Sequence, residues 1–314
     1  MRIIFTSFLL IFFAVYSFCN VLIVKDGCSD SVYSYYVERM NSFAYHKINT
    51  DTQKPDLALL SQYSTVMWLC GESRDTLDLD EKDLLKDYMS SEGHSLFIEG
   101  DHVIYDAAFI DQGFFFRNIF DISYSDKYDT PFDVITTWSH PITWGLPDRV
   151  RISSSMDTMD YAGIFAEDAF LRMDDTIEDN RNSIPCIGVA SERYRNRAVL
   201  LSFSPATRDI WDLDVSDFVI NLVEWLDIDN KRLIECLKTE NRYNQSEKYS
   251  EIAASRIVIG LRAGDTSLLD DLIESRDKIP DTTLSLLREK LTQRIAADPL
   301  LKDKISIIIR IGLI

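Results

Sequence analysis

An α/β fold, in which helices cover both faces of a parallel sheet, is what residues 20–229 predict, and three observations carry it. Continuous apolar runs of strand length recur, VLIVKD at 21–26, VMWLCG at 66–71 and SLFIEG at 95–100. Stretches with helical spacing of apolar residues separate them. Each run also closes on a glycine beside an acid, as in Asp26-Gly27, Gly71-Glu72 and Glu99-Gly100-Asp101. Runs with no polar face suit strands buried on both sides, which is the situation inside a parallel sheet.

In chain order, VLIVKD leads into SDSVYSYYVERM, where a Ser/Asp cap precedes helical spacing. AYHKINT reads as a second strand and STVMWLCGE as a third. LDEKDLLKDYMSSEG is a helix with acids in its first turn, Leu84, Leu85 and Tyr88 inward, and Gly93 as its stop. HSLFIEGD is a fourth strand. Residues 111–180 are less regular and predict a β-rich insertion of short antiparallel strands at the sheet edge. Its aromatics, Phe114, Phe115, Phe116, Trp138, Trp144 and Tyr161, read as the insertion's own small core rather than an exposed contact patch. SIPCIGVASE and RAVLLSFSP predict a strand pair turned by RYRN. DIWDLDVSDFVINLVEWLDI is an amphipathic helix closing the domain.

Past Asp229 the strand patterns stop, and residues 230–314 predict a small all-α C-terminal region. Glycine ends one segment at Gly264, and Pro280-Asp281 opens another. The helices are too short to stand alone, so they must pack together or dock on the first domain. DPLLKDKISIIIRIGLI is a last apolar helix or strand.

Residues 1–19 carry one charge, Arg2, then an apolar run from Ile3 to Tyr16, which is the layout of a secretory signal peptide. The run is shorter than the roughly 20 residues a spanning helix needs. Cleavage after Cys19 leaves Asn20 first, no transmembrane segment, and a periplasmic or extracellular protein. A lipid anchor on Cys19 is the rival reading, and the bulky Phe18 before it departs from the usual lipoprotein pattern. Losing Arg2 and no acid takes the formal charge from −18 to −19. A surface so acidic repels phosphate backbones and anionic lipid, so nucleic acid is not an expected partner; a neutral glycan or another protein is.

Four loops follow strand carboxyl ends, where open parallel sheets meet ligands. They supply the ligand candidates Asp26, Gly27, Gly71, Gly100 and Arg208, and the catalytic candidates Glu72, Glu99, Asp101 and His102. Of the four histidines only His102 adjoins that edge, since His46 and His94 belong to strands and His140 to the SHPITWGLP turn. Helix capping is the plain role for Asp101, and solvated strand-end acids for Glu72 and Glu99. Cys28, Cys70, Cys186 and Cys236 show no CxxC or CxxH spacing, so no zinc site is expected and any disulfide connectivity stays open. No GxGxxG, Walker A, HExxH or GxSxG pattern occurs, so no cofactor is expected. The acid clusters DTLDLDEKD and RMDDTIEDN lack the spaced ligands and central glycine of a calcium loop and read as solvated faces.

The order VLIVKDG, helix, VMWLCGE, YMSSEGHSLFIEGDHV, SHPITWGLP, AVLLSFSP, then a helix ending VEWL resembles the class I glutamine amidotransferase-like superfamily. It looks most like the non-peptidase module of secreted immune-inhibitor-A-type metallopeptidases and, more distantly, ThuA-type proteins. The resemblance spans residues 21–228 and implies a flavodoxin-like sheet. It also implies that a catalytic cysteine would sit just after the strand Leu96–Glu99, often with a histidine next. Here Gly100, Asp101 and His102 occupy that turn, so neither amidotransferase nor protease chemistry is expected. Two readings follow: a non-catalytic exported module for binding or assembly, which the missing thiol favours, or a hydrolase using Asp101, His102 and Glu72 or Glu99.

Overall fold

Each continuous apolar run becomes a strand whose side chains alternate between two fully buried faces. The computed structural model describes residues 21–40, 43–72, 77–105, 113–128, 132–136, 140–143, 146–152, 156–162, 169–173, 184–193, 196–206, 216–227, 230–238, 243–297 and 301. The elements run β1 (Val21–Lys25), α1 (Asp30–Arg39), β2 (Tyr45–Asn49), α2 (Leu57–Leu60), β3 (Thr65–Gly71), α3 (Leu79–Ser90) and β4 (Ser95–Gly100). Next come α4 (Phe114–Phe120), β5 (Ile122–Tyr128), β6 (Phe132–Thr136), β7 (Arg149–Ile152), β8 (Met156–Tyr161), β9 (Leu171–Met173), β10 (Ile184–Arg193) and β11 (Asn196–Leu201). The chain then turns all-helical, with α5 (Ser216–Asp227), α6 (Asn230–Lys238), α7 (Tyr243–Ala263), α8 (Ser267–Ser275) and α9 (Asp281–Ala297).

One sheet takes all these strands, in the order β2-β1-β3-β4-β11-β10-β9-β6-β7, with β8 pairing β10 and β5. The first five run parallel to one another. Their 2-1-3-4-5 arrangement is that of flavodoxin-like folds, with a switch point between β1 and β3. From β10 onward the described pairings are antiparallel, so the irregular middle is the predicted β-rich extension of the sheet. One stretch departs from that reading, because GFFFRNIF folds as α4. There Phe115, Phe116 and Phe120 share a core with Trp68 of β3 and with Leu85 and Tyr88 of α3, so these rings join the main core and not a separate one. Trp138 and Trp144 lie outside the described residues.

Leu22, Val24, Val66, Trp68, Leu96 and Ile98 face α3 and α4, while Ile23, Met67, Leu69, Phe97, Val199 and Leu201 face α1 and α5. The same second core continues through Leu233, Ile252, Ile257, Leu272, Leu287, Leu291 and Ile295, so the helical tail is docked on the sheet. Polar links reinforce the seam. Lys248 Nζ donates to Asn221 Oδ1 at 2.9 Å and pairs with Glu224, tying α7 to α5. Arg256 lies 3.6 Å from Glu192 of β10. Within the tail, Arg294 Nε donates to the buried Glu251 at 2.8 Å. His140, stacked on Phe170 and tilted on Trp225, is fully enclosed, and burial pushes its pKa down to about 3. It is therefore a neutral core ring.

No helix among the described residues is long and apolar enough to cross a membrane. The proposed leader, most of the last apolar segment and the acid cluster at 174–180 lie outside those residues. Because tail and sheet share one core, Leu287→Ala should lower stability by about 2–5 kcal/mol and leave a single transition. The check is coincidence of far-ultraviolet dichroism and tryptophan emission during urea unfolding, since all five tryptophans precede residue 230 and report the sheet domain alone.

Candidate functional site

The carboxyl ends of β1, β3, β4 and β11 lie side by side, and the loops that the sequence singles out meet there. Gly71 organises them. Its φ of +60° is left-handed, and a Cβ at this position would come within 2.7 Å of Cys28 Cβ. Only glycine fits both demands. Its amide donates to Glu99 Oε1 at 3.1 Å, and its carbonyl accepts from the Asp101 amide at 2.8 Å. Gly100 is equally hemmed in, since a Cβ there would stand 2.7 Å from Val103 and 2.8 Å from Cys70.

Glu99 is wholly buried, and burial pushes its carboxyl up to about 8, against hydrogen bonds from Ser204 and the Gly71 amide that favour the charged form. At neutral pH it is a neutral acid. Asp101 Oδ1 accepts from the Ser204 amide at 3.0 Å, so the residue at the elbow binds the loop after β11. Burial lifts its pKa to about 6, with further upward pressure from Glu72 and Asp157 and a downward pull from His102. His102 Nδ1 lies 3.8 Å from Asp157 Oδ2, an ion-pair distance beyond hydrogen-bond reach. Glu72 is exposed at the end of β3, close enough to raise both Glu99 and Asp101. The four catalytic candidates therefore converge.

The ligand candidates fare differently. Both oxygens of Asp26 are engaged, Oδ1 by the Thr50 hydroxyl at 2.9 Å and Oδ2 by the Trp68 indole N–H at 2.7 Å. Burial raises its pKa against those bonds. This carboxyl ties β1 to β3 and to the loop after β2 at the switch point. Gly27 is left-handed, with φ +66°. It leads to α1, where Ser29 Oγ already caps the Val32 amide at 3.4 Å. Arg208 lies outside the described residues. The four described cysteines are thiols rather than disulfides, and Cys28, Cys70 and Cys186 are buried. Burial pushes the Cys28 thiol up to about 12, so it is no nucleophile at neutral pH. No group of three or more His, Cys, Asp or Glu side chains placed to hold a metal occurs among the described residues.

Sequence reasoning located the loops but missed Asp157, which β8 of the insertion delivers to His102. No spacing signals it, because the contact depends on β8 pairing with β10, far along the chain. The site as built is an acid-rich edge, with Glu99 sealed, Asp101 and His102 partly open and Glu72 exposed, and with no reactive thiol. It can exchange protons, and its carboxyls already serve backbone amides.

Fold and site together define an α/β protein with a flavodoxin-like parallel half-sheet and an aspartate, Asp101, in the turn after β4. No family model matches the chain, and no curated protein does. Among solved structures, it is similar to one described as a ThuA-like protein from Bacteroides uniformis, at 13% identity and TM-score 0.45, covering 67% of this chain and 91% of that one. A structure described as a GMP synthase protein from Thermoplasma acidophilum matches at 10% identity and TM-score 0.39, covering 65% of this chain and 92% of that one. A glutamine amidotransferase from Thermotoga maritima matches at 14% identity and TM-score 0.38, over 82% and 99% of the two chains. At such identities the likeness concerns the fold alone.

The raised carboxyls fix the sign of the pH response. Glu99 keeps its proton up to about pH 8 when folded and releases it near 4.5 when unfolded. The folded state therefore binds the extra proton between those values, and stability falls as pH rises through that window. Glu81, pushed up to about 7 by burial, and Asp101 act in the same direction at lower pH. Glu99→Gln should flatten the decline between pH 4.5 and 8 and raise stability at pH 8 by on the order of a few kcal/mol. Urea midpoints across that range test this, and an unchanged slope would refute it.

Proposed function

We propose that this chain is an exported, non-catalytic module of the class I glutamine amidotransferase-like type, acting in binding or assembly at the cell envelope or outside the cell. The leader-like residues 1–19 support export, and the element order with GHSLFIEGD and HPITWGLP supports the type. One observation carries the non-catalytic part: in the turn after β4 no residue is a cysteine, and Asp101 there accepts from the Ser204 amide. An acid held by a backbone donor beside a neutral Glu99 is a fastening between strand ends. Hydrolysis by Asp101 with His102 is the second reading, favoured by the His102–Asp157 approach that could orient the ring.

Asp101→Asn separates the two, because the amide oxygen still accepts from Ser204 while the carboxylate is lost. Parent and variant should be equally silent toward glutamine, p-nitrophenyl esters and p-nitrophenyl glycosides. Turnover by the parent that drops roughly a hundredfold or more in the variant would establish the hydrolase instead.

A further inference from the structure

Large apolar side chains are rarely exposed in pairs over a hollow, and one such place exists away from the strand-end cluster. Leu79 and Phe114 are each 56% exposed, more than any other large apolar residue described. Both line a cavity of about 170 Å³ between α3 and α4, together with Phe115, Ile119, Lys82 and Lys86. Asp83 is the one acid on its wall. Arg117 adds charge beside it, its guanidinium 5.9 Å from the centre of the Phe114 ring. In a chain of formal charge −18, this is a hollow with an excess of positive groups.

Its size restricts what it holds. Small-molecule sites run to roughly 300–1,000 Å³, so this hollow takes one apolar side chain and not a whole ligand. The lysines restrict the charge, since a basic partner would meet Lys86 head-on and an acidic one would pair with it. We propose that the α3–α4 groove docks a short peptide segment of a protein partner, one apolar side chain seated between Leu79 and Phe114 and a neighbouring carboxylate on Lys86. The surrounding acidity then acts as a filter, because an anion gains only by local contact with the lysine. The inference goes beyond the reading above, and it stands whether or not the strand ends turn over a substrate.

Fluorescence anisotropy on the full chain provides the test. The probe is a terminally blocked, labelled peptide of alternating leucine and aspartate, with a leucine–lysine peptide as its counterpart. The aspartate peptide should bind saturably and about fivefold or more tighter than the lysine peptide. Phe114→Ala should weaken it by about fivefold or more, with dichroism unchanged because that ring is exposed, and Lys86→Glu should abolish the preference for aspartate. Absence of saturable binding, equal binding of both peptides, or full retention in Phe114→Ala would each overturn the proposal. Displacement of the peptide by decanoate would reassign the groove to acyl chains. None of these outcomes alters the Asp101→Asn comparison, so the two readings fail separately.

Discussion

The missing side chain at Gly71 is the constraint on which the carboxyl edge of the sheet depends. Because no Cβ intrudes, Cys28 and the start of α1 close directly over the end of β3. That closeness is what seals Glu99 from water while its Oε1 takes the Gly71 amide. The carbonyl of the same glycine aligns the Asp101 amide, and Asp101 in turn reaches Ser204. Four strand ends are thus stitched in series, from β1 through β3 and β4 to β11. Any L-residue at position 71 would strain the backbone, displace Cys28 and open Glu99 to solvent together.

A buried acid carries a cost of desolvation, and the fold meets it by keeping the proton rather than by supplying a cation. The tail solves the same problem the other way. There the buried Glu251 faces Arg294 across a helix–helix seam, and Arg256 of the tail faces Glu192 of β10 across a helix–sheet seam. Ion pairs of this kind make breaking one partner costly, and they fix how the tail sits against β10.

Much of the parallel half was legible because its strands are buried on both sides and so read as unbroken apolar runs. The helices α1 and α3 announced themselves by a Ser/Asp cap in the first and by first-turn acids with inward Leu85 and Tyr88 in the second, while the Asp78 capping box became visible only in the fold. The strand-end loops followed from the same punctuation. The order of β5 to β9 was not legible, for it is set by pairings that join distant segments with no local signature. α4 escaped because three consecutive phenylalanines suit a strand as well as a helix; burial of Phe116 and Phe120 on one side decides it. The role of Asp101 was hidden for a related reason. Its partner, the Ser204 amide, is over a hundred positions away and becomes a neighbour only when β11 slots beside β4.

The two ends of the main strand path bear on a different matter. β2 exposes Lys47, and β7 exposes Arg149 beside an Arg151 that pairs with Asp133. Each end of that path therefore carries a fixed positive side chain, Lys47 on one and Arg149 on the other, on a strongly acidic molecule. An unpaired border is a template for another strand, and like charges along it discourage a second copy from zipping on. At these two ends, growth of the sheet onto a second copy is opposed by side chains that contribute nothing to its interior.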